Sequence, residues 1–296
     1  MTLLQAIVLG IVQGLTEFIP ISSTAHLVFA SRAVGLYDGF DPTLKAEQTT
    51  ATMAVIQLGT LLAVLIYFYQ DILNISRAFL KDHLALLKRS DELRNRTHRL
   101  SQEAWLGWLI LIGSLPVGIV GLVFKEQIEG TFTKNLWIIA TMMIVVGLLL
   151  MLAEWVGKRE RSMDQLGVRD AVAVGCAQVL ALVPGSSRSG STIMGGLFAG
   201  ETRETAARFS FLLSIPAIAA SGLLELKEAI TKLPEGSFVP LAVSTIVSAI
   251  VGYASIWFLL RFLRRHSTGV FIVYRLIIGG IIIAALASGY ISAAVD

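Results

Sequence analysis

The chain has 296 residues, 55% hydrophobic and only 15% charged, with a mean hydropathy of +0.73; these values exclude an ordinary soluble globular protein and place it in a membrane. The formal charge of +3 reads as membrane topology and not as a nucleic-acid footprint, because Lys and Arg are confined to particular loops. A lone cysteine, Cys176, excludes an internal disulfide and reads as a small apolar packing residue.

In chain order, the first 30 residues lack a basic leading region and carry Glu17 inside the apolar stretch, so no cleavable signal is expected. Apolar runs at 49–69, 105–124, 135–153, 209–224, 238–260 and 276–295 give six expected spans, against the roughly 20 residues a helix needs to cross the hydrocarbon. Loop 71–103 holds seven Lys or Arg, from Arg77 to Arg99, and should be cytoplasmic. Lys158, Arg159, Arg161 and Arg169 mark a second cytoplasmic loop, and Arg261, Arg264 and Arg265 a third, whereas 125–134 and 225–237 suit the outer side. A polar stretch at 88–103 reads as a cytoplasmic surface helix.

Threading the spans through these sides leaves 171–200 beginning and ending inside, and 1–36 beginning and ending outside. Neither can cross; each should dip in and return as a helix, loop, helix hairpin. The two dips resemble each other, with Ala6 on Ala171, Gly10 on Gly175 and Gln13 on Gln178, then, after a gap of one residue, Pro20 on Pro184, Ser22 on Ser186 and Ser23 on Ser187. Three spans follow each, which forces the halves into opposite orientations. The expected fold is an all-α polytopic membrane protein: six transmembrane helices plus two re-entrant hairpins in an inverted-topology repeat, 1–157 and 158–296. Small residues such as Gly279 and Gly280 fit packing within one chain or between two copies, so a homodimer stays open.

Backbone that is not helical at membrane depth must line protein or a wet cavity, so both loops should face an internal pocket. Gln13 and Glu17, four apart, share one helix face, and Pro20 ends that helix. Ser22, Ser23 and Thr24 then supply caps or free hydroxyls, with His26 about one turn in. A carboxylate in a membrane segment costs roughly 3 kcal/mol or more at a helix centre, which makes Glu17 a functional candidate. In PGSSRSGST, 184–192, five hydroxyls surround Arg188, and glycines precede a half-helix whose N-terminus points the same way. Together these make an anion site for phosphate or pyrophosphate. The set suggests phosphoryl transfer or hydrolysis; no P-loop and no Cys/His zinc cluster occurs.

QGLTE at 13–17, PISSTAH at 20–26 and PGSSRSGST at 184–192 resemble the paired signatures of bacterial undecaprenyl pyrophosphate phosphatases of the bacitracin-resistance type. Gln13 fills a place the family writes with Glu or Gln, and Ala25 stands where a glycine is expected. The resemblance implies hydrolysis of the terminal phosphate of the lipid pyrophosphate, which returns the monophosphate carrier for cell-wall synthesis, in the bacterial inner membrane with the pocket open to the periplasm. It assigns Glu17, His26, Ser23 and Arg188 to catalysis, with Glu17 and His26 sharing acid and base work and either Ser23 or a water attacking. Ser187, Ser189 and Thr192 would hold the pyrophosphate beside Arg188, and Gln13, Ser22, Thr24, Gly185 and Ser186 complete the binding set. Glu17 is the candidate ligand for a magnesium or calcium ion. The rival expectation is an inverted-repeat secondary transporter or lipid flippase; nucleic acid is not expected as a partner.

Overall fold

The computed structural model describes residues 1–87, 100–124, 135–232 and 236–293. Among them the chain is helical throughout, with eleven α-helices and no strand. In order these are α1 (Leu3–Phe18), α2 (Ser23–Ala33), α3 (Pro42–Tyr67), α4 (Tyr69–Leu87), α5 (Gln102–Val123) and α6 (Leu136–Val156). They continue as α7 (Val168–Val179), α8 (Arg188–Phe198), α9 (Arg203–Lys232), α10 (Phe238–Leu263) and α11 (Gly269–Ala287).

Five of these hold a stretch long and apolar enough to cross a membrane: Leu44–Tyr67 of α3, and α5, α6, α10 and α11. The sixth expected span, 209–224, lies inside α9, which is not among these five. The last span also differs from expectation. A rule based on uncharged runs starts it at 276, yet α11 begins at Gly269 and carries Arg275 through its middle, fully buried. The helix tolerates the charge because the guanidinium is satisfied by backbone carbonyls, described below. Most of the surface helix expected at 88–103 lies outside the described residues.

Four helices are too short to cross, and they come as two consecutive pairs, α1 with α2 and α7 with α8. Thr2 and Gln5 form a capping box at the start of α1, and the Gln5 amide reaches on to the carbonyl of Val34 at 2.8 Å, tying the two ends of the first pair together. α1 packs along α10 and α7 along α5, while α3 pairs with α9 and α6 with α11. Glycine permits the two crossings of the short helices. A Cβ on Gly10 would stand 2.5 Å from the Ser244 carbonyl oxygen of α10, and one on Gly175 would stand 2.4 Å from the Gly113 carbonyl oxygen of α5. Gly279 likewise presses on Ile144 and Ala140 within the chain, whereas Gly280 faces open space.

The largest apolar core joins both halves. Phe18, the last residue of α1, meets Phe211 of α9 edge to face at 5.2 Å, and Phe68, Ile193, Leu197 and Leu259 fill in around them. Burial of an aromatic ring on this scale stabilises by about 1.5–3 kcal/mol, and here it fixes the end of α1 directly beside Glu17.

Candidate active site

The first break starts where Pro20 stops α1. Ile19 is extended, and Ser22 adopts φ +78° before α2 begins at Ser23. A left-handed φ on a residue with a side chain is strained and persists only where its surroundings hold it. The second break repeats the device: Ser187 adopts φ +68° immediately before α8 begins at Arg188. Ser22 and Ser187 are therefore the equivalent residues, and the spacing that matches Gln13 to Gln178 carries through without a gap. The gap expected from the letters, which set Ser22 on Ser186, is corrected by the backbone: the two prolines are not equivalent, and Ser23 matches Arg188. Only Gly185, at φ +92° and with the Ile139 carbonyl 2.1 Å from where its Cβ would be, requires glycine for both conformation and space.

Glu17 is the hub. Its Oε2 accepts hydrogen bonds from Gln13 Nε2 at 3.0 Å and from Ser23 Oγ at 2.8 Å. Its Oε1 pairs with Arg188 Nη2 at 3.1 Å and lies 3.5 Å from Gln57 Nε2. The carboxylate is only 8% exposed, which makes these donors the replacement for its water shell. A hydroxyl held on a carboxylate is the arrangement of a nucleophile and its base, and a guanidinium on the same carboxylate brings an anion clamp within reach of both.

These groups form the floor of a cavity of about 370 Å³. Gln13, Glu17, Ser23, Ser31, Thr49, Thr50, Gln57, Ser187 and Arg188 are its polar lining, and Leu27, Val28, Met53, Ile139 and Val183 are apolar. Thr24 and Gly185 also line it.

The remaining expected site residues take other places. His26 lines neither this cavity nor the smaller one beyond Arg188. Its Nδ1 meets the Ser22 carbonyl at 2.7 Å, so that nitrogen carries the proton, and its Nε2 meets the Tyr274 hydroxyl at 2.6 Å, with the two rings stacked. Ser22 makes no cap bond and its hydroxyl is buried without a partner, against the expectation of a cap. Ser186 also keeps an unpartnered buried hydroxyl. Ser187 does cap, accepting from the Gly190 amide at 3.2 Å. Ser189 donates to the Ile19 carbonyl at 3.2 Å and so stitches the second break to the first. Thr192 is fully buried, donating to the Arg188 carbonyl at 2.7 Å and meeting the Ser210 hydroxyl of α9. It supports the first turn of α8 from behind.

Three residues were missed from the sequence: Gln57, Tyr274 and Arg275. Arg275 joins everything. Its Nη1 donates to the Pro20 carbonyl at 3.3 Å, its Nη2 to those of Gly185 and Ser186 at 3.0 Å each and of Met142 at 3.2 Å, and its Nε to that of Met143 at 3.0 Å. One side chain thus satisfies carbonyls that both broken helices leave free. The signal was present as a lone charge in an apolar run, set aside because charge was used to end spans.

This geometry, two broken helices locked together around a carboxylate, a serine and an arginine, can be set beside known proteins. A sequence model of the family described as "Bacitracin resistance protein BacA" matches residues 6–281, through both breaks. A protein of Syntrophobacter fumaroxidans named undecaprenyl-diphosphatase is 52% identical over 280 residues, covering 95% of this chain and 96% of its own. Proteins of the same name from Chloroherpeton thalassium and Mycolicibacterium vanbaalenii are 46% and 45% identical, each over 99% of this chain and 100% of its own. With likeness of that depth running from end to end, this chain belongs to the BacA family of bacitracin resistance proteins.

Proposed function

We propose that this chain is a membrane phosphatase that hydrolyses undecaprenyl pyrophosphate to undecaprenyl phosphate and inorganic phosphate, and so recycles the lipid carrier for peptidoglycan synthesis. One observation carries the reading: Glu17 holds Ser23 on one oxygen and Arg188 on the other, in a cavity whose wall also includes Leu27, Val28, Met53, Ile139 and Val183. A pyrophosphate would lie against Arg188 and Ser187, and the first part of the lipid along Leu27, Val28 and Met53. The names of the relatives agree with this chemistry, and nothing in the cavity favours a carrier over a hydrolase.

In the reaction Ser23 Oγ attacks the terminal phosphorus while Glu17 takes its proton. The new O–P bond forms as the bridging P–O bond breaks, and the lipid monophosphate leaves. Arg188 balances the charge gathering on the phosphoryl oxygens. Glu17 passes that proton to the departing lipid phosphate, then deprotonates the water that cleaves the phosphoserine and returns the proton to Ser23 Oγ as phosphate is freed. His26 holds its loop through Ser22 and pairs with Tyr274, off the cavity. Magnesium or calcium fits poorly as a protein-held ion: Glu17 is the carboxylate on the cavity and both its oxygens already carry donors, so no step is routed through a metal.

The same reading places α1–α2 and α7–α8 as hairpins that enter from opposite faces, α9 as a sixth span, and 1–157 and 158–296 as inverted repeats. Support comes from the paired packing, α1 on the middle span of the second half and α7 on that of the first, and from the equal left-handed turns at Ser22 and Ser187. On this reading the first hairpin and the cavity face the periplasmic side of the inner membrane, and the distribution of Lys and Arg among the loops supports it.

The test is release of inorganic phosphate from undecaprenyl pyrophosphate by purified protein in detergent. The wild type should turn over and Ser23→Ala should not, while mass spectrometry of a quenched reaction should find phosphate on Ser23. An intact, inactive wild type would end the phosphatase reading; turnover by Ser23→Ala would hand the attack to water.

A further inference from the structure

Glu17 Oε2 is fully engaged by two neutral donors, Gln13 and Ser23, both from the first hairpin. Oε1 is held differently. Its close partner is Arg188 at 3.1 Å, and the Gln57 amide stands behind at 3.5 Å, the outer limit of a hydrogen bond. A carboxylate only accepts, so the amide nitrogen is the group that faces it. In the resting site the guanidinium, charged and nearer, prevails.

A pyrophosphate changes that balance, because it carries more charge than a carboxylate and offers oxygens that a guanidinium can grip in pairs. As Arg188 turns to it, Oε1 loses its partner at the moment Glu17 must stay aimed at Ser23. Gln57 is the remaining donor in reach, and being neutral it does not compete for phosphate.

Its position suits that task. Thr49, Thr50, Met53, Ala54 and Gln57 recur at helical spacing along one face of α3 that lines the cavity, with Gln57 beside Glu17. Two residues on, α3 is pinned: a Cβ on Gly59 would lie 2.2 Å from the Thr245 carbonyl of α10, so the helix backbone cannot drift. The amide is therefore presented from a rigid span that belongs to neither hairpin.

We propose that Gln57 is a positioning residue of the hydrolysis, taking over Glu17 Oε1 when Arg188 engages the substrate and thereby holding the base on Ser23. The proposal rests on the phosphatase reading. Its experiment compares steady-state phosphate release from undecaprenyl pyrophosphate by wild type, Gln57→Met, which keeps length and volume without a donor, and Gln57→Ala, together with each protein's melting temperature.

The expected result is a fall in kcat of about tenfold or more in both variants, as for partners that orient a reacting group, with KM within about twofold and melting unchanged. Unchanged kcat overturns the proposal. So does a rise in KM alone, which would make Gln57 a substrate ligand, or a fall in melting temperature in both variants that matches the lost activity, which would make it structural. An inactive wild type would instead defeat the phosphatase reading, so the two failures are told apart.

Discussion

The two broken helices share a backbone and divide the chemistry. Gln13 and Gln178 stand at equivalent places and both are buried, yet Gln13 holds Glu17 while neither end of the Gln178 amide has a partner, because the residue one turn on is Leu182. Ser22 and Ser187 make the same left-handed turn, but the residue after the first is a serine and after the second an arginine. A single device, used twice, therefore delivers a carboxylate and a serine hydroxyl from one side and a guanidinium from the other. A duplicated pair with identical side chains would have set Glu17 against a serine at 188; divergence there makes the meeting an ion pair.

What keeps the two breaks together is Arg275, and its removal should have the largest effect. Arg275→Met leaves carbonyls of both loops buried without donors, each costing about 1–3 kcal/mol. We expect loss of well-folded protein, read as a collapse of the monodisperse peak and of thermal cooperativity in detergent, and loss of activity with it. Next come substitutions that spare the scaffold and attack the division of labour. Glu17→Gln should lower kcat by about a hundred- to ten-thousand-fold, the range for a general base. Arg188→Lys should also fail in large part, since a point charge does not reproduce a two-pronged grip. Tyr274→Phe sharpens the comparison further. If His26 serves only to hold the first loop, losing the Tyr274 hydroxyl lowers melting and activity together; if His26 is an acid, it lowers melting while kcat is kept or rises.

Much of this site was legible in the sequence because a membrane makes polar residues conspicuous. Glu17 and Arg188 stood out as charges in apolar surroundings, and they meet at 3.1 Å. Gln13, Ser23 and Ser187 followed from spacing, since helical periodicity and a proline stop place them on one cavity. His26 did not follow. Its position one turn into α2 gave its helix but not the direction of its ring, which Tyr274, 248 residues away, decides. Gln57 is a lone amide in an apolar run, indistinguishable by pattern from a packing residue. Thr192 looked like a phosphate ligand among other hydroxyls, and only the packing of α9 shows it turned backwards onto Ser210. Hydropathy placed five spans well and began the last one too late, at Arg275, where the polarity is internal.

The far ends of the hairpins differ as well, and this predicts a pH effect. The first leaves through residues 34–41, where Asp38 is exposed and paired with Lys45 at 2.7 Å. The second leaves through Glu201, fully buried with both carboxylate oxygens unpartnered. Burial, and then the charge of Asp170, push the Glu201 carboxyl up to about 8, with Arg161 opposing. The folded protein therefore holds a proton there that the unfolded chain releases near 4.5. Stability from this group is whole below that pH and is lost as pH rises through about 8. Melting temperature should fall across that window in the wild type and less in Glu201→Gln, with the variants converging toward pH 4.5. A parallel fall in both would show that Glu201 is solvated.

The smallest predicted effect bears most directly on the equivalence of the two turns. Ser22→Ala and Ser187→Ala both keep a side chain at positive φ, so backbone strain cancels between them. They differ in what the hydroxyl does. Ser187 caps α8 through the Gly190 amide and touches Ser189, so its loss should cost about 1 kcal/mol, or a shift of about 2–4 °C in a chain of this size. The Ser22 hydroxyl is buried with no partner, and removing it should leave melting unchanged or slightly raised. The first loop would then owe its shape to the carbonyls that His26 and Arg275 hold, and the second to its own serine cap as well. Equal losses in the two variants would mean that Ser22 secures its turn as Ser187 does, and the contrast between a loop held from outside and a loop that also caps itself would lose its basis.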